Sequence, residues 1–193
     1  MASTSTAIPT ACVIEPRLLG VVLAGGSSRR FGKDKTSQVI DGQTLVARAA
    51  TTLAATLDEV VVVGVASEAP EEPWRRVPDL RAGHGPLGGL ETALTLAEST
   101  GWDGVFLLAC DLPLVGPEIV RSVIGGLGTA EAVAPSRSTA PGCEPLCAAY
   151  RSSCLPVASE LLDQGQRAVH QLIAGVENVF VDLDSGAFLN VNT

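Results

Sequence analysis

The sequence predicts a single α/β domain of Rossmann-like, three-layer build: a mostly parallel sheet with helices on both faces. Three observations predict it. The chain has 193 residues, the length of one domain and enough to bury a core without disulfides or a structural metal. Its most apolar segments are short, unbroken runs that stop at Gly or Asp, the pattern of strands buried on both faces. Between them lie stretches with apolar residues at helical spacing, so strand and helix alternate along the chain. Hydrophobic residues make up 46% of the chain and aromatics only 4%, so the core must be built from Ala, Val, Leu and Ile.

Residues 1–17 are rich in Ser, Thr and Ala with two prolines, and read as a disordered tail ahead of a domain spanning 18–193. They lack the basic start and continuous apolar run of a signal peptide, and no transmembrane stretch follows. The first strand is the run from Leu18 to Ala24, ended by Gly25-Gly26. A polar loop runs to about Thr36. Residues 43–57 place Leu45, Val46, Ala49, Ala50, Leu53 and Leu57 on one helical stripe. Val60 to Val63 is a second buried strand, stopped by Gly64. Residues 65–85 are irregular, with a short strand near Arg76-Val77. Leu87 to Ala97 is a helix that opens after Gly85-Pro86, and Val105 to Cys110 is a third buried strand that ends at Asp111. Pro117 to Ile124 is a short helix with proline in its first turn. Strands are predicted at 132–135, 146–150 and 179–183, and helices at 155–162 and 169–173. In such sheets ligands bind beyond the carboxyl ends of the strands, which singles out the loop after Ala24 and the loop at Asp111.

The net charge of −8 repels phosphate backbones and argues against nucleic acid and anionic membrane as partners. Five cysteines, Cys12, Cys110, Cys143, Cys147 and Cys154, form no CxxC pair. Cys143 and Cys147 fall in a stretch that reads as strand, with poor spacing for zinc. Small buried thiols in a reducing cytoplasm account for them.

Against this acidic background, Arg29, Arg30, Lys33 and Lys35 place four of the thirteen basic residues within seven positions. Lys33 and Lys35 are the only lysines. Gly25 and Gly26, just upstream, let backbone N–H groups come close to a ligand. A basic cluster behind a glycine turn after a buried strand suits a polyphosphate, although a solvated surface loop can have the same composition. The GxGxxG dinucleotide fingerprint is absent. A P-loop is also absent, since five residues separate Gly26 from Gly32 and Asp34 follows Lys33.

The stretch Leu23-Ala24-Gly25-Gly26-Ser27-Ser28-Arg29-Arg30-Phe31-Gly32-Lys33-Asp34-Lys35 resembles the pattern L-A-G-G-x-S-x-R-M-G-x-D-K of the molybdenum cofactor guanylyltransferases, with Phe31 in place of Met. The resemblance implies a fold like that of nucleotide-diphospho-sugar transferases. It implies that Leu23, Ala24, Gly25 and Gly26 hold the guanine nucleotide while Arg30 and Lys35 contact its phosphates. Cys110-Asp111-Leu112-Pro113 is similar to the family's C-D-x-P, in which the Asp holds Mg²⁺. Without the resemblance, Asp111 could equally be a turn former before proline. Asp79, followed by Gly85-Pro86-Leu87-Gly88-Gly89, is similar to the family's Asp and G-P-L-x-G, which implies a place at the nucleotide. His84 reads as a loop residue, and His170 as a helix residue without a role. An Asn that the family sometimes carries after the second strand is missing from Gly64-Val65-Ala66-Ser67.

The ending Phe188-Leu189-Asn190-Val191-Asn192-Thr193 resembles the family's F-x-N-x-N-T, which implies that Asn190 and Asn192 contact molybdopterin. Carboxamides both donate and accept, which suits the polar edge of a pterin. The family's pattern continues with P-E-D-L and a helix, whereas this sequence stops at Thr193. Cys143-Glu144-Pro145-Leu146 and Gly165-Gln166-Arg167 resemble shorter family segments that shape the site. The implied activity is transfer of GMP from GTP to the terminal phosphate of molybdopterin or its molybdenum-bound form, with Mg²⁺ as cofactor. Asp111, Arg30 and Lys35 would act on the phosphates of a monomeric enzyme, and accessory proteins of cofactor biosynthesis are conceivable partners. Cytidylyl transfer to the same pterin, nucleotidyl transfer to a sugar phosphate and a non-catalytic GTP-binding module are the alternatives.

Overall fold

The computed structural model describes residues 16–24, 39–40, 42–64, 73–139, 142–183 and 188. Nine strands and five α-helices alternate among these residues: β1 (Leu18–Leu23), β2 (Val39–Ile40), β3 (Gln43–Thr44), α1 (Leu45–Ala54), β4 (Val60–Val63), β5 (Arg75–Val77), α2 (Gly85–Thr100), β6 (Gly104–Ala109), α3 (Pro117–Gly125), β7 (Ala132–Pro135), β8 (Cys147–Arg151), α4 (Leu155–Asp163), α5 (Val169–Gly175) and β9 (Asn178–Val181).

Seven strands form one sheet in the order β5-β4-β1-β6-β8-β7-β9. β5, β4, β1 and β6 are mutually parallel. β8 runs antiparallel to both β6 and β7, and β7 pairs with β9 in parallel. The mostly parallel sheet is as the alternation of elements requires, and β8 alone is reversed.

Every residue of β1, β4 and β6 is buried, because side chains alternate between two covered faces. Leu18 and Val22 join Phe106 and Leu108 in one core, closed by α1 and α3. Leu19, Val21 and Leu23 join Val105 and Leu107 in the other, closed by α2, α4 and α5. Each such side chain contributes about 1.5–3 kcal/mol on burial, so two aliphatic cores replace the missing aromatic one.

Several boundaries differ from the sequence expectation. The helix predicted over 43–57 is shorter, because Gln43 and Thr44 pair with β2 and the Thr44 hydroxyl accepts the Ala47 N–H at 3.0 Å, capping α1. The helix expected from Leu87 starts at Gly85, with Pro86 in the first turn, where its missing N–H costs nothing. It ends at Gly101, whose φ of 78° makes the left-handed cap. Cys143 is not in a strand; it forms an isolated bridge with Ser136 in the turn before β8. Arg17, placed in the tail by sequence, donates its N–H to Asp103 Oδ2 at 2.8 Å and stacks on Trp102. Among the described residues no helix is long and apolar enough to cross a membrane.

Candidate functional site

β1 lies between β4 on one side and β6 on the other, and the chain winds outward from it in both directions. That makes the carboxyl edge of β1 and β6 the topological switch point, the place where sheets of this kind bind ligands. The backbone ladder continues beyond both strands. Ala24 N–H donates to Val63 O at 2.9 Å, and Cys110 N–H donates to Leu23 O at 3.3 Å. Leu23 and Ala24 are therefore held by strands on both sides and launch the glycine-rich loop from a fixed point. Gly25, Gly26, Arg30 and Lys35 of that loop lie outside the described residues, as do Asn190 and Asn192.

Asp111 lies two residues beyond β6 at this switch point and is half-buried. The turn that carries it is fixed from below. Leu112 and Val115 are buried in the core, each at 4% exposure, and Arg48 of α1 donates from Nε to the Pro113 carbonyl at 3.0 Å. Ion pairs among the described residues are Arg81 with Glu91 and Asp163, and Arg137 with Glu144, and Asp111 takes part in none of them. No cluster of three or more His, Cys, Asp or Glu side chains stands ready for a metal among the described residues. One hard oxygen donor at the switch point fits Mg²⁺ nonetheless, because that ion completes its shell with substrate phosphates and water.

Asp79 lies on the other flank, two residues beyond β5. Burial pushes its carboxyl up from the ordinary 3.8, and Oδ1 is shielded from solvent with no hydrogen-bond partner. Leaving a buried carboxylate oxygen unmet costs stability unless a ligand supplies the donor. The side chain is wedged at the start of α2. A methyl on Gly89 would sit 2.3 Å from Leu23 Cδ1 and 3.6 Å from Asp79 Oδ1, so the bare glycine lets this helix approach Leu23 at the end of β1 without displacing its side chain. A methyl on Gly88 would meet His84 Cβ at 2.9 Å. His84 itself is a loop residue just before α2, as expected. Asp79 and Asp111 thus stand at one edge, separated by β4 and β1.

Sequence reasoning missed the groups that hold these loops. Arg81 pairs with Glu91 of α2 at 3.0 Å and with Asp163 of α4, and Ser159 donates to Glu91 at 2.9 Å. This network fastens the segment after Asp79 to two helices. It also missed a cleft of about 370 Å³ beside the mixed part of the sheet, lined by Pro86, Arg137, Glu144, Leu146 and His170 among others. His170, given no role by sequence, faces that cleft. Glu144, Pro145 and Leu146 line it, and Tyr150, wholly buried, donates its hydroxyl to Pro145 O at 2.6 Å. The signal available in sequence was a charged residue beside proline in an otherwise apolar stretch.

Comparison with known proteins agrees with this architecture. A family model described as the MobA-like NTP transferase domain matches residues 20–179. A molybdenum cofactor guanylyltransferase of Desulfosudis oleivorans is 32% identical over 188 residues, which is 90% of this chain and 89% of that protein. A probable molybdenum cofactor guanylyltransferase of Nostoc sp. is 35% identical over 159 residues, 80% of this chain and 75% of the other. Among solved structures, molybdopterin-guanine dinucleotide biosynthesis protein A from Archaeoglobus fulgidus has the same fold, with a TM-score of 0.74, 24% identity and coverage of 91% of this chain and 93% of that one.

Proposed function

The chain belongs to the MobA-like NTP transferase domain family, and from that premise we propose that it transfers GMP from GTP to the terminal phosphate of molybdopterin. The observation that carries this reading is Asp111 at the switch point, in no ion pair with another described residue and one strand away from the fixed start of the glycine-rich basic loop. The guanine nucleotide lies along the carboxyl edge, with Leu23, Ala24, Gly25, Gly26 and Asp79 on its nucleoside side. Its phosphates lie between Asp111 and the cations Arg30 and Lys35. Asn190 and Asn192 take the polar edge of the pterin.

An oxygen of the acceptor phosphate attacks the α-phosphorus in line. The α–β bridging bond breaks, and the electron pair leaves with pyrophosphate. The attacking oxygen is already anionic, so no strong base is needed, and catalysis is positioning plus charge neutralisation. Arg30 and Lys35 steady charge on the transferring and leaving groups. Asp111 would hold Mg²⁺, which when bound screens the phosphates from one another. Asp79, short of a donor on Oδ1, accepts one from the nucleoside.

The test is label transfer from α-labelled GTP, CTP, ATP or UTP onto molybdopterin with Mg²⁺ present. Label moving from GTP, with one pyrophosphate released per transfer, is the expected result. Transfer from CTP would keep the fold and chemistry and overturn the guanine assignment. Nucleotide binding without any transfer would favour a regulatory module.

A further inference from the structure

Tyr150 and the cysteines aside, the polar side chains buried among the described residues are two neighbours on α2, Glu91 at 5% and Thr92 at 2% exposure. Both hold the two residues that follow Asp79. Thr92 Oγ1 accepts the Leu80 N–H at 3.0 Å and donates to Gly88 O at 2.9 Å. Glu91 Oε2 lies 3.0 Å from Arg81 Nε in an ion pair, and its Oε1 accepts the Ser159 hydroxyl at 2.9 Å. Arg81 also reaches Asp163 of α4, and its carbonyl accepts the His84 N–H at 3.3 Å. Gly88, Glu91 and Thr92, at spacing i, i+3 and i+4, share one face of α2. The segment lies against that face: a methyl on Gly88 would stand 3.4 Å from the Arg81 carbonyl oxygen.

These polar ties have no apolar counterpart. Leu80 is 62% exposed, and Ala82 and Gly83 are exposed, so residues 79–84 have no hydrophobic anchor of their own. A buried carboxylate is a costly way to hold a helix, because its desolvation offsets the attraction to its partner, and an apolar pair of similar size often serves stability as well. A directed ion pair and hydrogen bond supply something else, a fixed backbone path. That path leads out of Asp79, whose Oδ1 is shielded from solvent without a hydrogen-bond partner.

We infer that Arg81, Glu91 and Thr92 are positioning residues for the nucleotide: together they fix the backbone after Asp79 and so hold its carboxylate in place. The inference rests on the place at the nucleotide proposed for Asp79.

The experiment is a binding cycle, read by calorimetry with GTP and Mg²⁺. Arg81→Met and Glu91→Met combined in one protein remove both charges, so no buried carboxylate is orphaned, and the melting midpoint should stay within about 5 °C of wild type. GTP affinity should nonetheless fall about tenfold in this paired variant, in Thr92→Val and in Asp79→Asn. Adding the paired change to Asp79→Asn should weaken binding by less than about twofold more, because effects that run through one group do not add to its loss. Thr92→Val keeps both charges and runs the same cycle should the paired variant unfold. Losses that multiply to about a hundredfold in the combined protein, or wild-type affinity in the paired variant and Thr92→Val beside a weakened Asp79→Asn, overturn the positioning role and leave the nucleotide site standing. Wild-type affinity in Asp79→Asn, or no GTP binding by wild type, overturns the reading of Asp79 at the nucleotide and this inference with it.

Discussion

In the parallel half of the sheet, β5-β4-β1-β6, the two carboxylates at the strand ends are left wanting: Asp79 has a shielded oxygen without a partner and Asp111 makes no ion pair with the described residues. In the mixed half, β8-β7-β9, the carboxylates are matched. Glu144 takes Arg137, Asp182 takes the Ser136 hydroxyl at 2.6 Å, and Glu131 takes the Ser153 hydroxyl at 2.8 Å and the Glu177 N–H at 3.2 Å. Burying a carboxyl without a partner is costly, and saturating it is the ordinary solution. The half that forgoes that solution is the half whose missing partners a nucleotide and a divalent ion would bring. The mixed half spends its polar groups on holding turns and the chain end in place.

The sharpest way to break the contrast is Asp111→Asn. The amide keeps the shape and loses the charge. Pyrophosphate release should fall on the order of 10²–10³-fold, the usual cost of one group that meets charge in the transition state. The thermal midpoint should stay within a few degrees, since no folded partner is lost. Activity near wild type would remove Asp111 from the phosphate site.

The two halves are joined along β6 and β8, and the join depends on Gly104. A methyl there would sit 2.2 Å from the Tyr150 carbonyl oxygen and 2.8 Å from Arg151 Cα. Both are backbone atoms in a paired strand, so no side chain can rotate away. Gly104→Ala should cost about 3 kcal/mol, the upper range for overpacking, and lower the melting temperature by roughly 6–12 °C. A calorimetric scan checks it. A melting temperature unchanged within error would mean that the halves pack independently of this seam.

Asp79→Asn separates affinity from stability within the parallel half. The folded-state carboxyl titrates above its ordinary 3.8 because burial disfavours the charge. The folded chain thus binds more protons than the unfolded one in that window, and this group's contribution to stability declines as pH rises through it. The amide has no such penalty. The variant should melt above wild type at neutral pH, with the gap closing as pH falls toward the ordinary carboxylate value. GTP affinity should fall about tenfold, the worth of one hydrogen bond to a charged group. A variant less stable than wild type at neutral pH would show that Asp79 serves the fold.

The same contrast explains what was legible in the chain. β1, β4 and β6 could be read because a strand buried on both faces has no polar interruptions, and Asp111 could be read because it terminates such a run. The direction of β8 could not: Cys147-Ala148-Ala149-Tyr150 is as apolar as a parallel strand, and periodicity carries no sign of polarity. The hairpin of β2 and β3 has two residues per strand, too few for any period. Pairs such as Arg81–Glu91 and Arg137–Glu144 are made by turns that bring together residues ten and seven positions apart. Nothing in either residue type announces a partner at that separation. The orphaned oxygen of Asp79 is a property of its surroundings and is not encoded in the residue.

The smallest expected effect tests whether the mixed half serves one substrate only. Tyr150 is wholly buried, and its hydroxyl meets the Pro145 carbonyl in the turn that lines the cleft. Tyr150→Phe leaves the ring in the core and strands that carbonyl. The loss should be about 1 kcal/mol, or roughly 2–4 °C in melting temperature. Because the turn borders the cleft and not the β1–β6 switch point, KM for the acceptor should rise about twofold, a few tenths of a kcal/mol, while KM for GTP holds. A matching rise for GTP would mean that the Pro145 turn reaches the nucleotide through β6, where Ala109 N–H donates to Leu146 O at 2.8 Å, and that the two halves share their ligands.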